Sequence, residues 1–309
     1  KTLAAPAPAP APTYPADLVK SLYSNAYTPA ATLGNTNENW WQAPTNSEVN
    51  LGEGDMALLY ENIPATSTFG WAFNTFDAIG YQTLHISIYP LNSGTIEIYP
   101  VIQPEGEFHR TSQTLVANQW NEVVIDFSDK TFTTFVQLGF TNYSALGAFF
   151  IDNVYFTCPI ATTTVDGWAT FASAGNVQVP TGVKAYKAAY SNNGGNEVLV
   201  LTELEDGIIP AGQGVLINGA ASTTYGFTSA VSAPTTDMSD NDLIGTTTLT
   251  DVSAQRATSD IFCLRRTELF ETTAFCLYSG QYIPAGKAYL ALPQINGQAG
   301  APRNIRMVF

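Results

Sequence analysis

Segments in which apolar and polar residues alternate are the feature that most constrains the fold of this chain. Leu84, Ile86 and Ile88 occupy every second position of one such segment, and Ile96 and Ile98 repeat the pattern beyond a turn-forming Asn-Ser-Gly sequence. Because successive side chains of a strand point to opposite faces of a sheet, each segment presents one apolar face. The pattern predicts half-buried strands that are joined as antiparallel hairpins.

Similar segments recur at 121–127, 135–140 and 148–156. Strands and helices do not alternate in the rhythm of a parallel α/β protein, which argues against Rossmann-type and barrel enzymes. One short helix is predicted over Ala16–Leu22, because Pro15 precedes it and Asp17 lies in its first turn. The sequence as a whole predicts an all-β protein.

Composition divides the chain into four segments. Residues 1–13 are an Ala/Pro-rich linker that favours extended conformations, and residues 14–157 contain the strand series of an antiparallel β-sandwich. The polar residues 158–166 form a second linker, and residues 167–309 are expected to fold as a second β-sandwich-like domain. A chain of 309 residues is long enough for two domains.

The second domain contains a near repeat. The sequence Ile-Pro-Ala-Gly occurs at 209–212 and again at 283–286, with Pro and Gly at the positions that a type I turn favours. A strand-like segment follows each copy, so the sequence predicts two equivalent units of turn and strand. Nearby, Cys263 and Cys276 flank a plausible hairpin and either form a disulfide or remain buried thiols; Cys158 is left over.

The charge balance limits the partners of this chain. It has 12 Lys and Arg residues against 26 Asp and Glu residues, for a formal net charge of -14. Such a chain repels phosphate backbones and anionic lipid surfaces, so nucleic acid is not an expected partner. No apolar run reaches the roughly 18–20 residues that a membrane span needs. The sequence predicts a protein that lies outside the cell or on its outer surface, without a membrane span.

Aromatic side chains supply the candidate glycan contacts. The apolar face of a pyranose ring stacks on a flat aromatic side chain, and the sugar hydroxyls need amides or carboxylates nearby. Trp40, Trp41 and Gln42 meet both needs, in a segment rich in Asn and Thr that is expected to be a loop. Alternatively, one of the two indoles plugs the end of the sandwich, because adjacent residues of an extended segment point to opposite sides.

Three further aromatic residues are weaker candidates. Trp71 shares its parity with Phe69 and Phe73, so core packing is the competing interpretation. Tyr89 and Tyr99 alternate with aliphatic residues and are expected to face outward, either as a glycan platform or as ordinary sheet surface.

A catalytic constellation is not evident in the sequence. The chain has two histidines, His85 and His109, and no Gly-x-Ser-x-Gly nucleophile motif accompanies them. A glycosidase needs two carboxyl groups across the scissile bond. The acids that could supply such a pair are Glu97, Glu105, Glu107 and Asp126. They are interpreted as solvated surface residues, and the sequence predicts a non-catalytic protein.

Oxygen donors near both ends of the first domain predict a structural calcium ion. Ser24, Asn25 and Tyr27 lie near its start and Asp152 near its end, and oxygen is the ligand atom that Ca²⁺ prefers. One ion between them would join the two ends of the sandwich. The competing interpretation is that Asp152 caps a turn through hydrogen bonds.

Several short motifs of the first domain resemble a known family. They are LYSNAY at 22–27, NWWQ at 39–42, LHISIY at 84–89, QWN at 119–121 and FIDNVYF at 150–156. Together they resemble the carbohydrate-binding-module-like domain of secreted and surface glycan-utilisation proteins of Bacteroidetes. The resemblance implies a jelly roll of two antiparallel sheets, glycan contact by aromatic side chains and, often, a structural calcium ion.

The chain departs from that family at two positions. Asn25 stands where Asp is usual, which weakens the implied calcium site, and Trp41 stands where Gly is usual, which adds an aromatic side chain to the candidate glycan site. The second half, with its two Ile-Pro-Ala-Gly turns, is similar to the β-rich accessory domain that accompanies such proteins.

These features predict a non-catalytic extracellular protein that binds neutral oligosaccharides or polysaccharides by aromatic stacking. The alternative is a structural or adhesive surface protein whose β-domains mediate assembly through exposed strand edges. Further domains or self-assembly are compatible with both predictions.

Overall fold

The structure, a computed structural model, describes residues 5–30, 33–76, 80–81, 83–103, 106–107, 110–127, 134–267, 272–294 and 304–309. It divides into two compact units, Lys1–Cys158 and Pro159–Phe309. Within the described ranges the regular structure is β-strand, apart from three single-turn 3₁₀ helices at Ala16–Leu18, Ser144–Leu146 and Gln255–Ala257. The prediction of an all-β fold is confirmed.

Twelve strands are described in the first unit. They are β1 (Val19–Tyr23), β2 (Leu33–Trp41), β3 (Thr45–Gly52), β4 (Asp55–Glu61), β5 (Thr68–Phe76), β6 (Thr83–Pro90), β7 (Gly94–Gln103), β8 (Gly106–Glu107), β9 (Thr111–Leu115), β10 (Asn121–Asp126), β11 (Thr134–Thr141) and β12 (Phe149–Thr157).

These strands form two antiparallel sheets. Sheet 1 has the order β10-β6-β12-β4-β3, with β1 paired to β12, and sheet 2 has the order β2-β5-β11-β7-β8, with β9 paired to β7. The two sheets pack face to face as an antiparallel sandwich, as the alternating segments of the sequence predict.

Alternate residues of the two sheets meet in one buried core. Leu84, Ile86 and Ile88 of β6 join Ile96 and Ile98 of β7 in this cluster, and all five are fully buried. Burial of each such side chain stabilises the fold by about 1.5–3 kcal/mol. The inward face that the sequence pattern predicts is therefore the face that the structure buries.

The helix predicted over Ala16–Leu22 is wrong beyond its first turn. A 3₁₀ turn spans Ala16–Leu18, and Val19 then begins β1, which pairs with β12. This pairing places Leu22 in the sandwich core, where it is 1% exposed. The tertiary contact therefore outweighs the weak helical preference of the segment.

Fifteen strands are described in the second unit. They are β13 (Ile160–Thr162), β14 (Trp168–Phe171), β15 (Val177–Gln178), β16 (Lys184–Asn193), β17 (Asn196–Glu203), β18 (Ile208–Ile209), β19 (Val215–Asn218), β20 (Thr224–Gly226), β21 (Leu243–Thr246), β22 (Thr250–Asp251), β23 (Ser259–Thr267), β24 (Thr272–Leu277), β25 (Tyr282–Ile283), β26 (Lys287–Pro293) and β27 (Asn304–Val308).

Nine of these strands form one sheet, in the order β14-β19-β16-β17-β27-β24-β23-β26-β21. Its neighbours are antiparallel except β17 and β27, which run parallel. The remaining strands form the pairs β13-β20, β15-β18 and β22-β25.

The two Ile-Pro-Ala-Gly sequences occupy equivalent places in this unit. Each follows the last strand of a two-stranded pair, β18 or β25, and leads into a strand of the large sheet, β19 or β26. Gly212 and Gly286 have φ angles of 74° and 75°, a left-handed conformation that glycine adopts without strain. The predicted units of turn and strand are present in both copies.

The stretch 158–166 and the cysteine pair have defined positions in the structure. The stretch 158–166, expected to be a linker, contains β13, which pairs with β20; its β-branched threonines suit a strand. Cys263 of β23 lies directly opposite Cys276 of β24, and both remain thiols. Burial raises the pKa of Cys263 to about 11.

Candidate functional site

A tryptophan lies flat on the outer face of sheet 2. Trp40 of β2 is half-buried, and its indole rests over Gly70 of β5 and Gly139 of β11. These two glycines pair in register, and a Cβ atom at either one would overlap the ring. Glycine within a strand marks such a close approach. The sheet therefore forms a flat bed for one face of the indole.

Tyr99 and Arg110 pack beside this indole. Tyr99 of β7 pairs with Gly139, and its ring centroid is 6.2 Å from that of Trp40. The guanidinium carbon of Arg110 lies 4.1 Å from the centroid of the Tyr99 ring, and Nη1 of Arg110 donates to Oε2 of Glu97 at 3.2 Å. Because Tyr99 is fully buried, the structure corrects the prediction that this ring contacts a glycan directly. It supports Trp40 and Arg110 instead.

Polar side chains lie in the neighbouring positions of the same sheet. Glu38 of β2 is half-buried and pairs with Gly70, so it lies in the same cross-strand row as the two glycines. Gln137 of β11 is also half-buried and lies two residues before Gly139, in the next outward-facing row. In the row on the other side, the Oγ1 atoms of Thr68 and Thr141 are 3.1 Å apart, and Glu97 pairs with Thr141. The aromatic surface is thus flanked by groups that can hydrogen-bond sugar hydroxyls.

Trp41 and Gln42 lie at the end of the same strand. Trp41 is 61% exposed and pairs with Thr68, and Gln42 is exposed with a φ angle of 48°, a left-handed conformation. The segment expected to be a loop therefore forms the edge strand β2, which contains three register shifts. These irregularities let an Asn- and Thr-rich segment pair along the sheet edge.

Two of the predicted contacts lie elsewhere in the first unit. Trp71 is fully buried between the sheets, where its Nε1 atom donates to the Tyr60 hydroxyl at 2.8 Å. This residue belongs to the core, because no face of its ring reaches the surface. Tyr89 is half-buried on the outer face of sheet 1, where its ring packs edge-on against Trp120 and Phe150. The structure does not bring these residues together with Trp40.

Sequence reasoning missed the residues that build the platform. Gly70 lies between Phe69 and Trp71, and Gly139 lies between Leu138 and Phe140. A glycine between two inward-facing apolar residues marks an outward position without a side chain, so this signal was available. The position of Arg110 over Tyr99 has no comparable signal in the sequence, because it depends on the pairing of β7 with β9.

His85, the described histidine, is buried on β6, and both of its ring nitrogens lie close to side chains of neighbouring strands. His85 is 6% exposed, its Nδ1 atom is 3.2 Å from Oε1 of Glu122, and its Nε2 atom is 3.0 Å from Oγ1 of Thr157. Burial lowers the pKa of His85, although the Glu122 carboxylate opposes this shift. His109, Glu105 and the side chain of Glu107 lie outside the described residues.

The predicted calcium ligands divide into two groups. Ser24 donates its hydroxyl to Oδ1 of Asn153 at 2.7 Å, and Asn25 donates to the Gly54 carbonyl, also at 2.7 Å. Asn153 follows Asp152 in the chain and Gly54 precedes Asp55, so these hydrogen bonds place Ser24 and Asn25 near the two acids. The Tyr27 hydroxyl instead donates to the Tyr14 carbonyl at 3.0 Å, away from these two contacts, and its role as a calcium ligand stays a prediction.

Asp152 is a buried carboxyl group with spare hydrogen-bonding capacity. Its Oδ1 atom accepts a hydrogen bond from the Asn153 amide at 2.6 Å, whereas its Oδ2 atom is buried and has no hydrogen-bond partner among the described residues. Burial, together with the charge of Asp55, raises the pKa of Asp152 to about 7. An oxygen-seeking cation would satisfy this atom. The part of the chain that is described contains no group of three or more His, Cys, Asp or Glu side chains that could hold a metal ion.

No protein-family model matches the sequence, and the comparison with curated proteins gives no match. Among the described residues, no helix has the length and apolar character that a membrane crossing requires.

Solved structures that resemble the chain include carbohydrate-binding modules. A family 29 module is 15% identical, with a TM-score of 0.31, over 45% of this chain and 87% of the module. A family 11 module from Clostridium thermocellum, in complex with a β-1,3-1,4-mixed-linked tetrasaccharide, is 13% identical, with a TM-score of 0.30, over 45% of this chain and 95% of the module. A family 29 variant in complex with cellulohexaose is 15% identical, with a TM-score of 0.32, over 45% and 89%.

Proposed function

We propose that this protein is a non-catalytic glycan-binding protein whose first unit binds a neutral oligosaccharide or polysaccharide on the outer face of sheet 2. The observation that carries the proposal is the Trp40 indole, which lies flat over Gly70 and Gly139 with part of its ring in solvent. A flat aromatic surface on a rigid sheet can stack on the C–H face of a pyranose without first having to be ordered.

Polar side chains around Trp40 supply the hydrogen bonds that sugar hydroxyls require. Glu38 and Gln137 offer acceptor and donor groups to hydroxyls, and Tyr99 with Arg110 fixes one side of the indole. Trp41 and Gln42 provide a second contact at the strand end, where a longer saccharide would extend over the edge of the sheet. A chain of sugars would thus meet a central platform and a separate edge contact.

The charges around the platform favour a neutral ligand. Arg110 is already paired with Glu97, and Glu38 lies in the row of the two glycines. The whole chain has a formal net charge of -14. An anionic glycan would meet carboxylates at the site and repulsion at long range. We therefore assign neutral sugars to this site, and a location outside the cell or on its outer surface stays a prediction from the sequence.

Affinity gel electrophoresis of the full chain tests this function. Neutral polysaccharides of several linkages are set in separate gels, with a uronate polysaccharide as the acidic counterpart. We expect at least one neutral polysaccharide to retard the chain and the acidic one to leave its mobility unchanged. If no neutral polysaccharide retards the chain while its sedimentation shows self-assembly that grows with concentration, the structural or adhesive alternative replaces the proposal.

We further propose that a structural Ca²⁺ ion lies beside Asp152, with oxygen donors from Asp55 and from the segment of Ser24 and Asn25. The unsatisfied Oδ2 atom of Asp152 supports this assignment, because a buried carboxylate with one oxygen unpaired destabilises the fold until it is neutralised. The ion would supply that charge and hold the two ends of the first unit together.

Melting experiments with calcium and with a chelator test the metal site. An ion that binds only the folded state, at a concentration one hundred times its dissociation constant, raises the free energy of unfolding by about 2.7 kcal/mol. Asp152→Asn should abolish the calcium effect, whereas Asp126→Asn, a change at an exposed acid of β10, should preserve it. A melting temperature that is identical with calcium and with chelator would overturn the metal assignment.

A further inference from the structure

The outer face of sheet 1 is aromatic where an exposed sheet face would be polar. Tyr89 packs edge-on against Trp120, at a centroid distance of 5.5 Å, and against Phe150, at 6.2 Å. Phe150 is fully buried although it faces away from the sandwich core, and it joins Leu59 in a separate apolar cluster. The outer face of sheet 1 therefore has an apolar cluster of its own, separate from the sandwich core.

The Ala/Pro segment of residues 5–13 lies over part of this face. Trp120 donates its indole N–H to the Ala7 carbonyl at 2.9 Å, and Asn153 donates its amide N–H to the Pro10 carbonyl at 3.5 Å. The backbone N–H of Ala9 donates to the carboxylate of Asp55. The segment makes no strand pairing with sheet 1, so side chains rather than a β-ladder hold it.

The burial of the segment has a period of three. Pro6, Ala9 and Pro12 are half-buried, whereas the residues between them are exposed. A polyproline II helix has three residues per turn, so one edge of such a helix faces the sheet throughout. The alternating Ala/Pro sequence itself favours this conformation. Aromatic side chains that donate hydrogen bonds to the carbonyls of a polyproline II segment are a recurring mode of peptide recognition.

The C-terminal end of the segment lies over a second group of rings. Tyr14 packs against His85 with centroids 5.5 Å apart, and His85 stacks on Tyr155 at 4.7 Å and an interplanar angle of 3°. Residues 10–14 and sheet 1 enclose a cavity of about 220 Å³ here. The contact surface thus runs from Trp120 to Tyr155 and follows the whole segment.

We propose that the outer face of sheet 1 is a recognition groove for a polyproline II segment of Ala/Pro sequence, and that residues 5–13 of this chain occupy it in cis. The groove recognises the conformation, the proline rings and the backbone carbonyls, so covalent attachment is not required for binding. Attachment provides a local concentration in the millimolar range, which keeps the groove filled in the intact chain.

The test uses a peptide of residues 4–15 with blocked ends and a variant of the full chain that lacks residues 1–13. We expect the peptide to bind the shortened chain, measured by calorimetry, and to bind the intact chain at least tenfold more weakly because the attached segment competes. A peptide in which every proline is replaced by glycine should bind the shortened chain at least tenfold more weakly than the native peptide. Melting of the shortened chain shows that it is folded.

Point variants locate the binding surface. Trp120→Phe in the shortened chain should weaken peptide binding about fivefold to tenfold, the effect of one lost hydrogen bond. Trp168→Phe, the same change in the second unit, should leave peptide affinity unchanged. Neither variant should alter polysaccharide binding on sheet 2.

A second variant serves if the shortened chain does not fold. It keeps the full length and replaces Pro6, Pro8, Pro10 and Pro12 by glycine, which weakens the attached segment and should let the native peptide bind. The proposal is overturned if a folded variant with an unoccupied groove does not bind the peptide at millimolar concentration. It is also overturned if the proline and glycine peptides bind equally well.

Discussion

The two outer faces of the first unit differ in what lies over their aromatic side chains. On sheet 1, Trp120 donates its indole N–H to a carbonyl of the chain's own Ala/Pro segment, and Tyr89 packs against Trp120. On sheet 2, Trp40 rests on two glycines and keeps part of its ring in solvent. Strands of both sheets share the alternation of apolar and polar residues, so alternation determines which residues face outward but not which of them remain accessible.

The comparison also separates four tryptophans of one unit by their environment. Trp71 is sealed in the core, Trp120 is covered by the terminal segment, Trp40 lies on the open sheet, and Trp41 is 61% exposed at its edge. Trp41 is the most exposed of the four, Trp40 and Trp120 are both half-buried, and Trp120 has its indole N–H bound to the terminal segment. Substitution of Trp71 should therefore lower stability more than glycan binding, whereas substitution of Trp40 or Trp41 should lower glycan binding more than stability.

The largest expected effect is the loss of stability at the core position. Trp71→Ala removes a fully buried indole and leaves the Tyr60 hydroxyl without its donor, so the free energy of unfolding should fall by about 3–5 kcal/mol. The matched variant Trp41→Ala should change it by less than about 0.5 kcal/mol. Urea denaturation of both variants measures this difference, and equal losses would mean that the core and the edge of sheet 2 are wrongly distinguished.

A smaller loss of stability is expected at the strand glycines beneath the Trp40 indole. In Gly139→Ala, the new Cβ atom would overlap Tyr99 and Trp40, so we expect a destabilisation of about 1–3 kcal/mol and weaker glycan binding. Gly34→Ala is the matched control on the same sheet, because its Cβ atom would lie 3.5 Å from the nearest atom, the Ala72 carbonyl oxygen. If Gly139→Ala binds and unfolds as Gly34→Ala does, the indole does not rest on the strand glycines.

The smallest expected effect is the pH dependence of the covered face. Burial lowers the pKa of His85 below the ordinary value of about 6.5. The unfolded chain then binds a proton more readily than the folded chain, so this residue's contribution to stability is complete above pH about 6.5 and is lost as the pH falls below that value. In urea titrations between neutral and mildly acidic pH, His85→Gln should show a shallower loss of stability than the native chain. An identical pH dependence would show that His85 is not held neutral beneath the segment.

The sequence predicts the inward faces of the sandwich well, for a physical reason. Ile86 and Ile98 alternate with less apolar neighbours, and burial of one face is enough to fix the register of a strand. The Asn- and Thr-rich composition of the Trp40 segment is typical of a loop, whereas the segment forms strand β2. Its strand state depends on pairing with β5, a contact that local sequence does not record.

The candidate site was predictable only in part. The aromatic pair at Trp40 and Trp41 was identified from composition, but Tyr99 was expected at the surface and is buried under Trp40 and Arg110. The alternation of the strand places Tyr99 on the outward face correctly. The residues that cover it, Trp40 and Arg110, come from other parts of the chain. The same limit applies to Trp120, whose cover is formed by residues more than a hundred positions earlier in the chain.

The central claim is that the open face of sheet 2, and not the covered face of sheet 1, binds glycan. Isothermal titration of the full chain with an oligosaccharide of the polysaccharide that retards it tests this claim, with Trp40→Ala and Trp120→Ala titrated in parallel and their melting temperatures recorded. The account predicts that Trp40→Ala weakens binding by about thirtyfold, or about 2 kcal/mol, while the variant remains folded, and that Trp120→Ala binds within about twofold of the native chain. Native affinity in a folded Trp40→Ala variant, or an equal loss in both variants, would contradict it.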